Sequence, residues 1–148
     1  MLIPSPTRHV FVYGTLRRGE SRDINKLQPQ PGWVGAASVD GTLFDLGSYP
    51  GIVLDAGGAQ VTGEVYAITP ELERRLDEIE EVLPQASGEY CKREVMVRLC
   101  LPPGAPAQSS NVLSCVLCLL YEVSPDRTTG KSLITSGDWV LYRNQQLA

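Results

Sequence analysis

One stretch near the amino end limits what this chain can fold into: Val10-Phe11-Val12-Tyr13 is apolar on both of its alternating faces and halts at Gly14. Thr15-Leu16-Arg17-Arg18-Gly19 then turns polar. β-Branched and aromatic residues in so short a run read as a strand buried on both sides. Gly14 opens backbone torsions closed to other residues and lets another group approach the main chain. Successive N–H groups in such a turn can form a concavity for a carboxylate or a developing oxyanion. In many proteins the same pattern only changes the direction of the chain.

The segments that follow are mostly strand-like. Residues 20–30 are polar and precede Pro31, with Pro29 among them, which reads as a connection with one helical turn whose Asn25 and Leu27 face inward. Trp33 to Val39 and Gly41 to Leu46 read as two strands joined through the hairpin-type pair Asp40-Gly41. A Gly- and Pro-rich corner over 47–51 leads to Ile52-Val53-Leu54, and Val61 to Ile68 forms a further strand. Gly63 inside it marks a bulge or a close neighbouring backbone. Thr69-Pro70-Glu71 starts a helix, with Thr as cap and Pro in the first turn, running to about Val82. A loop over 83–89, a strand from Tyr90 to Leu101, a loop over 102–111 and a central strand from Val112 to Val123 complete the pattern. Trp139, in the tail, reads as a packing residue. Strands dominate and one helix is clear, so the fold class is α+β: a small mixed-sheet β-barrel with one main amphipathic helix.

At 148 residues with a formal net charge of -4, the chain is expected to form a single domain over 1–148. The longest basic runs are the pairs Arg17-Arg18 and Lys92-Arg93, which argues against nucleic acid as a partner. The start lacks a basic region followed by an apolar core, and Val112 to Tyr121 is too short to span a bilayer; a cytoplasmic location without membrane attachment is expected. Cys91, Cys100, Cys115 and Cys118 read as buried, unpaired thiols, because Cys115 and Cys118 on a strand point to opposite faces. With His9 the only histidine, no metal site and no cofactor are expected.

Helix periodicity sorts the acids that follow Pro70. At about 100° per residue, Leu72, Leu76, Ile79 and Leu83 stack into one stripe, and Glu78 and Glu81 project into solvent. Glu80 lies roughly 70° from the centre of the stripe. Glu73 occupies nearly the same border two turns earlier, so geometry alone leaves two candidates for a carboxylate half in water.

Tyr13-Gly14-Thr15-Leu16-Arg17-Arg18-Gly19 resembles the signature of the γ-glutamylcyclotransferase-like family, in the branch of γ-glutamylamine cyclotransferases and AIG2-like proteins. The resemblance continues through Gly41 to Gly51, Val61-Thr62-Gly63-Glu64-Val65-Tyr66, Leu76-Asp77-Glu78-Ile79-Glu80, Tyr90, Arg93 and the tail from Ser136 to Tyr142. It implies a barrel with a cavity at one end. It also implies that Glu80, closing Leu-Asp-x-x-Glu, is the catalytic acid, that Tyr13, Gly14, Thr15 and Leu16 cradle the glutamyl group, and that Tyr121 lies near the substrate. Tyr13 and Thr15 would add hydroxyls to the amides of the cradle. Tyr90 and Arg93 read as structural, Arg17 and Arg18 as solvated. One departure stands out: Glu81 and Val82 follow Glu80 where relatives often carry Gly.

The implied reaction takes a small-molecule γ-glutamyl substrate. Its own α-amine attacks its γ-carbonyl, releasing an amine and 5-oxoproline. The substrate supplies the nucleophile, which agrees with a chain lacking a Ser-His-acid set. A carboxylate that relays the proton requires a partly desolvated Glu80 with raised proton affinity. Two other readings stand beside this one: a non-catalytic module binding a small anionic ligand, and a thiol enzyme using Cys91 or Cys115. The leaving amine and the oligomeric state are open.

Overall fold

The apolar run ending at Tyr13 becomes the middle of a closed sheet. The computed structural model describes residues 8–47, 49–55, 57–79, 90–100 and 115–147. In chain order they form β1 (Arg8–Val12), a 3-10 turn (Ile24–Lys26), β2 (Gly32–Asp45), β3 (Pro50–Leu54), β4 (Gln60–Ile68), α1 (Pro70–Ile79) and β5 (Tyr90–Leu99). Then come β6 (Cys115–Val123), a second 3-10 turn (Pro125–Thr128), β7 (Ser132–Leu133) and α2 (Trp139–Leu147). The strand order β2-β4-β1-β6-β5 closes on itself where Ala37 and Ser38 of β2 pair with Leu99 and Arg98 of β5. The pairing of β1 with β6 is parallel and the others are antiparallel, so this is a five-stranded mixed barrel. Closure leaves no free edge around the ring.

Alternation along β1 and β6 feeds two cores. Phe11 and Tyr13, with Cys118 and Leu120, join Ala37, Val39, Val61, Val65 and Val97 from the other three strands inside the barrel. Val10 and Val12, with Leu119, Tyr121 and Val123, pack instead against Leu72 and Leu76 of α1. Burying either leucine contributes about 1.5–3 kcal/mol. The double-sided apolarity of both strands thus has one cause: a barrel interior on one side and a helix on the other.

Several local expectations are corrected. Trp33 to Asp45 is one long strand, not two joined by a turn. β2 pairs with β4 over Gly32–Asp40, then with β3 from Gly41 to Asp45, so Asp40-Gly41 is the crossing between partners. Gly41 serves close packing there, since a Cβ on it would lie 2.9 Å from the Val53 carbonyl oxygen. In the connection after β1, Asn25 and Leu27 turn inward as expected, Asn25 Nδ2 donating to Tyr66 Oη at 3.2 Å and Leu27 packing against the core, but the fully buried residue is Ile24. A second helix, α2, seats the buried Trp139 in the barrel core. Cys91, Cys100 and Cys115 are exposed, and only Cys118 is buried. The helix start agrees with its signal: the Leu72 N–H donates to Thr69 Oγ1 at 3.2 Å. Its expected end at Val82, and the loops over 83–89 and 102–111, lie outside the described residues.

Gly63 resolves to the close-approach alternative. A Cβ there would lie 2.3 Å from the Val12 carbonyl oxygen and 2.5 Å from Phe11 Cζ. Gly63→Ala should therefore destabilise the protein by about 1–3 kcal/mol, measured by chemical denaturation. Burial also pushes the Cys118 thiol up to about 12. In the native protein at about pH 8, a thiol reagent should label Cys91, Cys100 and Cys115 and spare Cys118 until denaturant is added, as read by peptide mass spectrometry.

Candidate functional site

Beyond Tyr13 the chain leaves the sheet and folds back through consecutive turns. The Arg17 N–H donates to the Gly14 carbonyl at 3.0 Å, the Arg22 N–H to Thr15 at 2.9 Å and the Ile24 N–H to Leu16 at 2.9 Å. These bonds draw the carbonyls of Gly14, Thr15 and Leu16 into the loop. Among the described residues no acceptor takes their three amide N–H groups. Gly14 is required by contact: a Cβ would lie 2.6 Å from Pro50 Cγ.

A cavity of about 370 Å³ opens beside this turn, in the size range of small-molecule sites. Tyr13, Gly14, Thr15 and Leu16 line it together with Tyr121, so five expected site residues share one hollow. Phe11, Val12, Tyr49, Pro50 and Tyr90 complete an apolar and aromatic wall. At the border stand Arg22 and the end of α1, represented by Glu78 and Ile79. Glu78 is exposed as expected, yet it borders the cavity. Glu80, Glu81 and Val82 lie outside the described residues; Ile79, on the cavity wall, is the residue immediately before Glu80.

The tyrosines are held by the scaffold. Tyr13 Oη donates to the Tyr121 carbonyl at 2.6 Å and accepts from the Ile52 N–H at 3.3 Å, so this hydroxyl ties three strands together instead of supplementing the cradle's amides. Tyr90 Oη donates to the Pro50 carbonyl at 3.0 Å. Arg93, exposed, pairs with Glu122 at 3.0 Å, in keeping with a structural role. Tyr121 Oη donates to Asp77 Oδ1 at 2.6 Å, and Lys92 Nζ donates to Asp77 Oδ2 at 2.9 Å. Burial disfavours the Lys92 ammonium, but its hydrogen bonds and charge pairing with Glu73 and Asp77 outweigh this and raise its pKa. Glu73, the other border acid of the helix, is engaged by Lys92 and by Arg8 Nε and does not line the cavity.

The loop that carries the amides is anchored by charges expected to lie in solvent. Arg17 is largely buried: its Nε donates to Glu64 Oε2 at 3.2 Å and its Nη1 to Asp138 Oδ1 at 2.9 Å. Arg18 is exposed, but its guanidinium lies 4.6 Å from the centre of the Trp33 ring, and its N–H donates to Glu64 Oε1 at 2.9 Å. Tyr66 Oη donates to the same Glu64 oxygen at 2.9 Å; burial, with Glu64 beside it, pushes the Tyr66 phenol up to about 12. Glu20, also buried, accepts from Trp139 Nε1 at 3.1 Å and from Arg143 Nε at 2.9 Å. None of Glu20, Glu64 and Asp77 is marked by periodicity. Asp77 lies about 130° from the apolar stripe of its helix, and is buried because β5 and β6 cover that side.

Among the described residues no group of three metal-binding side chains occurs, and no helix is long and apolar enough to cross a membrane.

Comparison with known proteins places this geometry. Residues 10–141 match the family model described as gamma-glutamyl cyclotransferase, AIG2-like. A Halalkalibacterium halodurans protein named "putative gamma-glutamylcyclotransferase" is 34% identical over 103 residues, which is 69% of this chain and 80% of that one. The gamma-L-glutamyl-butirosin B gamma-glutamyl cyclotransferase of Niallia circulans is 40% identical over 75 residues, 49% of this chain and 46% of its own. The crystal structure of a mouse AIG2-like protein superposes with a TM-score of 0.65 at 23% identity, covering 87% of this chain and 86% of that one; this likeness is one of fold. With the family matched from Val10 to Leu141 and the corresponding barrel in place, the chain belongs to the AIG2-like γ-glutamyl cyclotransferase family.

Proposed function

We propose that this protein is a γ-glutamyl cyclotransferase that converts a γ-glutamyl amide into 5-oxoproline and a free amine. The observation that carries the reading is the cavity itself: a turn whose three amides no described residue engages and the end of α1 border the same hollow, in a chain of this family. In the proposed complex the amides of Gly14, Thr15 and Leu16 receive the oxyanion or the carboxylate of the glutamyl group, and the rings of Tyr13 and Tyr121 bound it. Folding a substrate so that its amine meets its own carbonyl exploits effective molarities of about 10⁵ to 10⁸ M, so no protein nucleophile is needed.

Glu80 is proposed as general acid and base. It directly follows Ile79 of the cavity wall, and two acids that precede it on the helix are already engaged, Glu73 in ion pairs and Asp77 beneath Tyr121. An α-ammonium, which ordinarily titrates at about 7.7–8.0, must lose a proton before attack, and the leaving amine must gain one. A carboxylate in an apolar setting, with raised proton affinity, performs both transfers.

A panel of γ-glutamyl compounds offered to the purified protein should yield 5-oxoproline by mass spectrometry. Glu80→Gln should lower the rate by about 10²–10⁴-fold. Equal turnover by the variant would remove Glu80 from the mechanism, and ligand binding without 5-oxoproline would return the protein to the binding-module reading. Gly14→Ala, whose new methyl would press on Pro50, should lower kcat/KM by at least about tenfold while the circular dichroism spectrum stays that of the wild type.

A further inference from the structure

Two cations stand in the loop after the cradle, Arg22 and Lys26, both exposed and, among the described residues, without an ion-pair partner. They share a second hollow, of about 400 Å³, bordered by Ser21, Arg22, Asp23, Lys26, Leu27 and Ile79. Arg22 and Ile79 also border the first cavity, so the two hollows adjoin across those side chains. The acid between the two cations also borders this hollow but is held from within the loop. Asp23 is buried, with Oδ2 accepting the Gly19 N–H at 2.8 Å and Oδ1 accepting both the backbone N–H and the Nδ2 of Asn25 at 2.9 Å. Burial alone would favour its neutral form, but these hydrogen bonds and the nearby Lys26 hold its carboxyl below the ordinary value, so it stays an internal staple of the loop. The lining of the second hollow thus sets two exposed cations, Arg22 and Lys26, against one buried and hydrogen-bonded carboxylate, which leaves it net positive beside Leu27 and Ile79. Glu78, an exposed acid, borders the first cavity and not the second.

A γ-glutamyl amide has two ends. With the glutamyl end against the amides of Gly14 to Leu16, the amine that leaves has to extend toward a border of the first cavity, and the border made by Arg22 and Ile79 opens onto the second hollow. We propose that this second hollow is the leaving-group subsite, and that Arg22 and Lys26 make it select amines bearing a carboxylate, as in a γ-glutamyl amino acid or peptide, over neutral or cationic amines. This rests on the cyclotransferase reading and gives it a substrate class.

The test compares three compounds that differ in the charge of the leaving amine: γ-glutamylalanine, γ-glutamylethylamide and γ-glutamylputrescine. 5-Oxoproline release is followed to give kcat/KM for each. The wild type should favour the alanine compound over the ethylamide by about fivefold or more, as expected for partly solvated charge pairs, and should disfavour the putrescine compound. In the double variant Arg22→Gln, Lys26→Gln these ratios should fall to near one, and in Arg22→Glu, Lys26→Glu the order should invert. Because each ratio is taken within one protein, partial loss of fold or of chemistry cancels. Turnover of all three compounds at equal efficiency, a preference for putrescine in the wild type, or ratios unchanged in both variants would overturn the subsite while leaving the cyclotransferase reading intact. Absence of 5-oxoproline from every compound would overturn both.

Discussion

The rest of the molecule depends on the burial of β1 on both faces. A strand with Phe11 in a barrel interior and Val10 and Val12 against a helix can lie only where two layers already meet, between β4 and β6. Its last residue then has nowhere to continue except into solvent or a turn, because the cores end there. The turn at Gly14 is thus delivered to the rim of the barrel by the same packing that holds the strand. The helix that covers the outer face of β1 is α1, and its carboxyl end comes to that rim too. Two hydrophobic contacts, Val12 with α1 and Phe11 with the barrel, bring an amide-bearing loop and a helix end to one cavity.

That architecture was largely legible from the residues. Apolarity on both faces of Val10–Tyr13 and of the strand ending at Val123 identified the two central strands, and the Thr69-Pro70 pair marked the start of α1. The illegible parts share a cause, which is that the partner of each residue is distant in sequence. Asp40-Gly41 carries the composition of a hairpin turn, but β2 has two successive partners, β4 and β3, and extended pairing on both sides overrides the local preference of the pair. Cys91 of β5 and Cys115 of β6 are exposed by the outward phase of their strands, and Cys100 by its place just past the end of β5. α2 offers no strong amphipathic stripe; its place is set by Trp139, whose indole finds Glu20 across the fold.

The candidate site divides the same way. Tyr13, Gly14, Thr15, Leu16 and Tyr121 could be named beforehand, because a turn after a buried strand is a local pattern and the family resemblance supplied the tyrosine. The acids that hold the loop, and the one beneath Tyr121, could not be. Glu20, Glu64 and Asp77 are buried and paired with Arg143, Arg17 and Lys92, and such pairs are set by tertiary proximity alone. A carboxylate in a polar sequence reads as solvated until the element that covers it is known.

Those pairs also explain why the loop can work as a binding surface. Backbone amides stabilise a developing charge only if they are already aimed when the ligand arrives; a floppy loop would have to be ordered at the ligand's expense. The loop's ordering charges all run outward from the cavity: Arg17 to Glu64 and the cap of α2 at Asp138, Glu20 to Trp139 and Arg143. Removing one member of a buried pair typically costs about 3–5 kcal/mol, and Arg17 with Glu64 is the pair here that is largely buried on both sides. The anchoring side chains hold the loop from residues that do not line the cavity, while Gly14, Thr15 and Leu16 line it and Arg22 stands at its border. A loop already stiffened by such pairs needs no further ordering when a ligand arrives, which is the condition under which backbone N–H groups stabilise charge most.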